Sequence, residues 1–441
     1  MQHDQQSQFR RLATSSLLIA GLFQFNTSSA ADCIPSSANR PVCPAASVAA
    51  EASFIDPTVA MRYPSKISLG KQTYLGPFAE LNASGLIQIG EKTNLQDNVT
   101  ISGTGNVTLG DEVILAHGAQ VRAPAVLGAH GAPTATVAHK AVFLGFNSLI
   151  DGANMEADSM VLHLARVAPG ITVRSGKVIL SGKNITTQAQ ADDPALGKVI
   201  PITDALRKFM EGVLHVNTTF AQEYTNLSRT SASALRGINV DPGQSEHSHE
   251  VFNPYRDTPV LAGVNTIAPT YRNRIIGKVR MADNFSKVNG SAYGNKIALR
   301  ADEGEAFDLG RVTSMADRTT FHALEFSAIK AGNDVVYGFR SVVHGGESEA
   351  TKLDAVPHLA STESLPPTKA LTVIGDKVQI GNYAVVFKSA IGNNVKIGCG
   401  SLVEASKLPA GTVVPSRTIV QNYGFAGSVS SRVEWNPGCD G

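Results

Sequence analysis

The histidines are the side chains of this 441-residue sequence best suited to chemistry, because imidazole binds transition metals and exchanges protons near neutral pH. Of the eleven histidines, the pair His247 and His249 lies in an irregular segment with two prolines, which we interpret as a solvated linker. Five more are interpreted as ordinary polar residues: His130, His139, His163, His215 and His358. Apart from His3 near the N-terminus, the remaining histidines are the candidates His117, His322 and His344, which lie in the repetitive parts of the chain.

The overall composition excludes a highly charged binding protein. The chain has 38 Lys and Arg residues against 37 Asp and Glu residues, a net charge of +1, so it has no field that would attract nucleic acid or an anionic membrane. Hydrophobic residues make up 43% of the chain, which argues against disorder. With 40 glycines and many β-branched residues, the composition predicts a mainly β protein.

The N-terminal residues resemble an export signal. Arg10 and Arg11 precede an apolar run over 12–25, which is too short to span a bilayer and is followed by small residues typical of a cleavage site. We predict a signal peptide over 1–31, a periplasmic or secreted location and no membrane span in the mature form. The alternative is a short membrane anchor.

The cysteines are interpreted as disulfide partners, because export would place them in an oxidising compartment. Cys33, Cys43, Cys399 and Cys439 allow three pairings, and closeness in sequence favours Cys33–Cys43 and Cys399–Cys439. The sequence has no Cys-x-x-Cys motif, so it predicts neither a thiol redox site nor a zinc ribbon.

An aliphatic residue recurs about every six positions in two parts of the chain. In the first part these residues are Ile89, Leu95, Ile101, Leu109, Leu115, Val121 and Leu127, and in the second they include Ile374, Ile380, Ile391 and Ile397. A period of six indicates a parallel β-helix with three hexapeptides in each triangular coil. Both parts contain one shortened hexapeptide, at 150–154 and 386–390, which indicates a tandem duplication.

These patterns predict six segments along the chain. They are a signal peptide (1–31), an N-terminal segment (32–59), a first β-helix (60–228), a linker (229–262), a second β-helix (263–427) and a C-terminal tail (428–441). Apolar residues at helical spacing over 205–227 predict a helix packed along the outside of the first β-helix. A loop rich in Ser, Thr and Pro, over 346–369, is expected to interrupt the second.

Several short motifs resemble those of the γ-class carbonic anhydrases. The stretch 299–304 (Leu-Arg-Ala-Asp-Glu-Gly) is similar to the family's Arg-x-Asp-Glu-Gly segment, and 321–325 and 343–345 are similar to its histidine segments. Segments 94–97 and 115–121 resemble its remaining landmarks, and the resemblance covers roughly 60–225 and 263–425. It implies two left-handed parallel β-helix (hexapeptide repeat) domains in tandem, each with a packed α-helix or C-terminal extension.

Neither half alone has the family's three metal histidines. The matching positions are Ser102, His117 and Arg122 in the first half and His322, Phe339 and His344 in the second. In the family the metal lies between neighbouring β-helices, so the resemblance implies one composite site of His117, His322 and His344 where the halves meet. Three imidazoles suit Zn²⁺, with Fe²⁺ or Co²⁺ as alternatives.

Spacing adds an independent argument for two site faces. Eighteen residues return a triangular coil to the same face. Glu303 precedes His322 by nineteen residues, so the two are predicted to share a face. Gln96 precedes Ser102 by six residues and His117 precedes Arg122 by five. Gln96 and His117 are therefore predicted to share the other face of the site.

The resemblance also implies roles for other residues. Gln96 would orient a metal-bound hydroxide that attacks CO₂, and Glu303, with Glu325 nearby, would carry the released proton to solvent. Residues expected to form structural ion pairs at the interface are Arg300, Asp302, Asp317 and Asp97.

The resemblance therefore implies a carbonic anhydrase that converts CO₂ to bicarbonate and self-associates through β-helix faces. It implies no nucleic-acid partner. Two alternatives remain open: a metal-free structural or binding protein of the same fold, and a hexapeptide acyltransferase. The acyltransferase is less favoured, because an exported protein does not meet acyl-CoA.

Overall fold

The computed structural model describes residues 33–34, 51–230, 260–261, 272–277, 279–283, 285–288, 290–303, 305–353 and 368–439. The predicted signal peptide, the Cys33–Cys43 pairing and most of the predicted linker lie outside these residues. So do His247, His249 and His358.

The protein is an all-β parallel β-helix protein, as predicted, and its strands form two units. In the first unit, over 33–34 and 51–201, and in the second unit, over 260–432, strands of successive coils pair in parallel on three faces. An antiparallel strand covers the end of each unit, at Val199–Pro201 and Val429–Arg432.

The first unit has three faces, two of which share long strands. Its first face contains Cys33–Ile34, Ser53–Ile55, Tyr74–Leu75, Asn94–Leu95, Val113–Leu115, Val142–Leu144, Ser159–Val161, Lys177–Ile179 and Val199–Pro201. Its second contains Ala60–Met61, Glu80–Leu81, Thr100–Leu109, Gln120–Leu127, Leu149–Asp151, Arg166–Val167 and Asn184–Ile185. Its third contains Ile67–Leu69, Ile87–Ile89, the C-terminal halves of the two long strands, Asn154–Met155 and Thr172–Val173.

The second unit has three separate sheets. Its first face contains Arg274–Gly277, Ala298–Ala301, Thr320–Ala323, Val342–Gly345, Val385–Phe387, Leu402–Glu404, Thr418–Gln421 and Val429–Arg432. Its second contains Val260–Leu261, Val279–Met281, Phe307–Leu309, Ser327–Ala331, Ala370–Ile374, Ala390–Ile391 and Lys407–Leu408. Its third contains Val312–Met315, Val335–Tyr337, Gln379–Ile380, Lys396–Ile397 and Val413–Val414.

The six-residue repeat supplies the core of each unit. The repeated aliphatic residues from Ile89 to Leu127 are at most 3% exposed, and so are those from Ile374 to Ile397. Each coil must also turn sharply, and many of the corner residues take a positive φ, including Asn98 at 59° and Asn147 at 50°. Asparagine tolerates this left-handed conformation better than most residues do.

Five named helices accompany the strands in the part of the chain that the structure describes. The α-helices are Gln188–Asp192, Asp204–Thr230 and Phe285–Val288, and the 3₁₀ helices are Pro64–Lys66 and Pro194–Leu196. None of the helices among the described residues is both long and apolar enough to cross a bilayer.

The long helix, Asp204–Thr230, agrees with the helical pattern, but its position differs from the expected one. Its residues Met210 and Leu214 belong to an apolar cluster that also contains Phe143 of the first unit and Val385 of the second. The helix therefore covers the junction of both units instead of one β-helix. A single apolar helix face is buried more completely in the groove between two units than on one outer face.

The C-terminal segment ties the second unit to the first. The predicted Cys399–Cys439 disulfide is present. Glu434 forms ion pairs with Lys183 at 3.2 Å and Lys198 at 2.6 Å, both in the first unit. Trp435 Nε1 donates a hydrogen bond of 2.5 Å to the carbonyl oxygen of Leu164.

Candidate metal centre

The first faces of the two units meet. Each face carries a column of residues at equivalent positions of successive coils, with Asp97, His117 and Phe146 in the first unit and His322 and His344 in the second. In the first unit, the register of Asn94–Leu95 on Ile114–Leu115 places Asp97 one coil before His117. In the second unit, His322 and His344 are direct neighbours on adjacent strands. The corners lie against each other, and the Asn98 Nδ2 atom lies 3.2 Å from the Lys296 carbonyl and 3.0 Å from Thr320 Oγ1.

Three histidines converge at this junction, one from the first unit and two from the second. His117, His322 and His344 are all buried, and one ligand nitrogen from each lies within 4.8 Å of the other two. His322 Nδ1 and His344 Nε2 are 3.2 Å apart. Two nitrogens bound to one tetrahedral zinc ion, with Zn–N distances of about 2.0–2.1 Å, would be about 3.3 Å apart.

Burial keeps these imidazoles neutral. Loss of hydration lowers the pKa of His322 to about 4, assisted by the charge of Arg300. Burial also lowers the pKa of His344 and of His117 from the ordinary value. A neutral imidazole is the form that binds a metal, because the proton of the charged form occupies the ligand position.

Two oxygen atoms lie beside ring nitrogens of His117 and His344. Asp97 Oδ2 lies 3.0 Å from His117 Nδ1, and the carbonyl oxygen of Gly345 lies 2.8 Å from Nδ1 of His344. Metal-binding histidines usually have such a partner on the nitrogen that does not bind the metal. His117 Nε2 is buried without a hydrogen-bond partner among the described residues. The residues present therefore fit a metal ion held by three imidazoles.

A buried ion network lies one coil before the histidines. Arg300 Nε is 3.0 Å from Asp97 Oδ2 across the unit junction, and Arg300 Nη1 is 2.6 Å from Asp302 Oδ2. Tyr74 accepts a hydrogen bond from Arg300 at 3.1 Å, and the Tyr224 hydroxyl donates to Asp302. Burial alone would raise the pKa of Asp302, but the charge of Arg300 outweighs it and lowers that pKa.

Glu303 lies beside His322, and Glu325 is close enough to influence the charge of Glu303. Glu303 Oε2 is 3.6 Å from His322 Nε2. Burial raises the pKa of Glu303 to about 8, and the charges of Asp302 and Glu325 contribute to the rise. Near neutral pH this carboxyl group is therefore able both to hold and to release a proton.

The site opens into a cavity of about 410 Å³ beneath the long helix. Glu303, Glu325, His322 and His344 line it, and so does Gln96. His322 and His344 thus border the cavity, whereas His117 does not, and the three residues expected to act on water or protons all line it.

Two of the other matching positions, Arg122 and Phe339, make their contacts outside the three histidines. Arg122 is about half exposed and pairs with Asp151 at 3.4 Å, while Phe339 packs against Tyr383. Neither residue lines the cavity.

Asp317 differs from its expected role. It accepts a hydrogen bond of 2.9 Å from the backbone N–H of Asn295 in its own unit, and no ion pair of Asp317 occurs among the described residues. The expectation of an interface ion pair fails here, because this aspartate lies in a turn and its carboxylate caps the neighbouring coil. Asp97, Asp302 and Arg300 do meet at the interface.

Sequence reasoning missed two aromatic groups. Phe146 stacks on His163 with ring centroids 4.4 Å apart and on His344 at 5.0 Å. The register of 113–115 on 142–144 places Phe146 directly after His117 in the corner column, and this register could have identified it. Tyr224 of the long helix carried no comparable signal, because its contact depends on where the helix lies.

His163 differs from the other histidines interpreted as ordinary polar residues. It is buried, and its Nδ1 accepts a hydrogen bond of 3.0 Å from the backbone N–H of Phe146. It lines the cavity, as His215 also does. His130, His139 and His215 are exposed.

Comparisons with known proteins give distant relatives. No model of a protein family matches the chain. The carboxysome assembly protein CcmM of Nostoc sp. (strain PCC 7120) is 26% identical over 150 residues, which is 34% of this chain and 23% of that protein. CcmM of Synechococcus elongatus is 28% identical over 167 residues, 38% of this chain and 26% of that protein. The chain thus matches only about a quarter of the length of these relatives.

Among solved structures, the matches have low similarity. A hexapeptide transferase family protein from Anaplasma phagocytophilum is 15% identical with a TM-score of 0.22, covering 38% of this chain and 91% of that one. A putative acetyltransferase from Desulfovibrio desulfuricans is 11% identical, also with a TM-score of 0.22, covering 85% and 72%.

Proposed function

We propose that this protein is an exported carbonic anhydrase with one metal site, shared between the two units of a chain. The observation that carries the proposal is the convergence of three buried imidazoles from both units. A zinc ion held by three imidazoles lowers the pKa of a bound water to about 7, which supplies a nucleophile for CO₂ at neutral pH. Fe²⁺ and Co²⁺ suit the same ligands.

His117, His322 and His344 would hold the metal. Burial lowers the pKa of each ring, so protons compete little for the ligand nitrogens near pH 7. Asp97 and the Gly345 carbonyl would orient His117 and His344 through their second ring nitrogens.

Glu303 would move the proton that hydration releases. Its Oε2 atom borders the histidines, and its pKa of about 8 suits a group that accepts and releases a proton near neutral pH. Glu325 lines the same cavity and would receive the proton next. Gln96, on the opposite unit, would orient the attacking water through its side-chain amide.

Metal analysis combined with a CO₂ hydration assay tests this proposal. We expect one metal ion per chain, and His117→Ala should remove the metal and the activity as completely as His322→Ala or His344→Ala, because two imidazoles form an incomplete ligand set. His139→Ala, at an exposed histidine, is the matched control. Full activity of His117→Ala would exclude a site shared between the units.

A second candidate is a metal-free assembly protein. It is favoured by the two relatives, which are assembly proteins by name. Protein purified without chelator that contains no metal, but forms defined oligomers through its outer β-helix faces, would support this function and contradict the first. The acyltransferase alternative has no comparable support, since the transferase-like structures have TM-scores of 0.22 or lower.

A further inference from the structure

The cavity beside the histidines is much larger than CO₂ requires. Its volume is about 410 Å³, within the range of about 300–1,000 Å³ that is typical of sites for organic ligands. Its walls include the rings of Phe143, Phe146, Phe326 and Phe387 and the side chain of Val213. An aromatic lining of this size can surround one ring and its substituents.

The wall of the cavity includes a glycine with open space in front of it. Gly212 lies inside the long helix and lines the cavity, although glycine destabilises a helix interior by about 0.8–1.0 kcal/mol relative to alanine. A Cβ atom at Gly212 would meet no atom within 4 Å, so no contact within the protein requires glycine there. The space in front of Gly212 is therefore open, and a large side chain placed there would extend into it.

One buried histidine presents a hydrogen-bond donor of known orientation. His163 Nδ1 accepts the backbone N–H of Phe146, so the proton of the neutral ring must lie on Nε2. Burial lowers the pKa of His163 to about 4, and the ring is neutral at pH 7. No described residue accepts a hydrogen bond from Nε2, and His163 lines the cavity. The cavity thus offers a donor for a ligand oxygen.

The charged groups around the cavity do not favour an anion. Lys208 and Lys369 line it together with Glu325 and Glu347, so ammonium and carboxylate charges balance, while Glu303 with its raised pKa is largely uncharged near pH 7. An uncharged ligand avoids the cost of moving a charge from water to an apolar wall.

We propose that this cavity binds an uncharged one-ring aromatic carbonyl compound, such as an ester or a ketone. The ring lies between the phenylalanines, and the carbonyl oxygen accepts a hydrogen bond from His163 Nε2. This binding does not depend on a metal ion, so it stands or fails separately from the proposed hydration of CO₂.

Calorimetric titration of the metal-free full-length protein with methyl benzoate tests the proposal, with benzoate as the charged comparison. Methyl benzoate should bind at least tenfold more tightly than benzoate. His163→Asn, whose Oδ1 can still accept the Phe146 N–H, should weaken binding of methyl benzoate about fivefold, the size expected for one lost hydrogen bond.

Substitutions on the long helix supply a second test. Gly212→Phe should place a ring inside the cavity and weaken binding of methyl benzoate more than tenfold. Glu211→Phe is the control, at an exposed position of the same helix that does not line the cavity, and it should leave the affinity unchanged. Equal affinities for benzoate and methyl benzoate, or unchanged binding by Gly212→Phe in a protein with normal circular dichroism, would overturn the proposal. So would the absence of detectable binding of methyl benzoate to the wild type.

Discussion

At the scale of single residues, one carboxylate oxygen connects assembly with the candidate site. Asp97 Oδ2 lies 3.0 Å from Arg300 Nε of the second unit and 3.0 Å from His117 Nδ1 of its own unit. The carboxylate that attracts the second unit therefore also contacts His117, the candidate metal ligand of the first unit. Docking of the two units and orientation of the His117 ring thus both depend on Asp97 Oδ2.

Glu303→Gln should separate proton transfer from metal binding. The amide keeps the size of the side chain and leaves the three imidazoles untouched, so metal content should equal that of the wild type. Turnover of CO₂ should fall at least tenfold in weak buffer and recover partly when a small buffer such as imidazole carries the proton. Hydration rates and metal content are measured on the same samples. Loss of metal, or a rate that buffer does not affect, would contradict a shuttle role.

His163 predicts an acid-sensitive component of stability. Burial lowers its pKa from 6.5 to about 4. Between pH 6.5 and pH 4, His163 is therefore protonated in the unfolded chain but neutral in the folded one. This contribution is present above pH 6.5 and is lost as the pH falls towards 4, and it amounts to about 3 kcal/mol at most. The free energy of unfolding of metal-free His163→Asn should therefore fall less steeply than that of the wild type over this range. Parallel urea unfolding curves at each pH measure the difference, and identical slopes would contradict the prediction.

At the scale of strands and helices, the coils and their core were predictable, because the six-residue period appears directly in the sequence. Ile89, Leu115 and Ile380 all point into the core as the period requires. The position of the long helix was not predictable from its own pattern. An apolar helix face specifies that it is buried, but not whether one unit or two supply the contact.

The asparagine corners are expected to stabilise docking of the units. Asn98→Gly preserves the positive φ of this corner but removes the amide that donates to Lys296, Arg318 and Thr320 across the junction. It should lower the free energy of unfolding by about 1–3 kcal/mol more than the control does, since buried acceptors lose their donor.

Asn394→Gly is the matched control, because Asn394 is an exposed corner residue with a φ of 58°. Both substitutions increase the freedom of the unfolded chain by the same amount, so their difference isolates the contacts across the junction. Equal effects in urea unfolding would show that the Asn98 amide contributes nothing to docking.

At the scale of the whole molecule, residues 433–439 should act as a clasp, meaning a segment of the second unit that is held by the disulfide and binds the first unit. The Cys399–Cys439 bond closes a loop of 40 residues, which corresponds to a stabilisation of up to about 4 kcal/mol. Cys439→Ser should therefore increase hydrogen exchange at 433–435 and in the first-unit segment 182–184 that they contact. Wild type in reducing agent should match the variant. Unchanged exchange in both would contradict a clasp.

The pairing of the units was only partly predictable. The missing histidines of each half indicated a shared site, because each half holds what the other lacks. The reach of Glu434 to Lys183 and Lys198 gave no such indication, since ion pairs between distant segments have no periodic signature.

The two facing columns have a consequence for how the chain folds correctly. Both units rise by about 4.8 Å per coil, so sliding one unit along the other by a single coil would still match strand to strand. Such a shift would bring Asp97 or Phe146, the neighbours of His117 in its column, opposite His322 and His344. A chain whose units are shifted by one coil would thus contain all three candidate ligands but would not bring them together around a metal ion. Uptake of metal would therefore report correct alignment of the two units, independently of any reaction at the site.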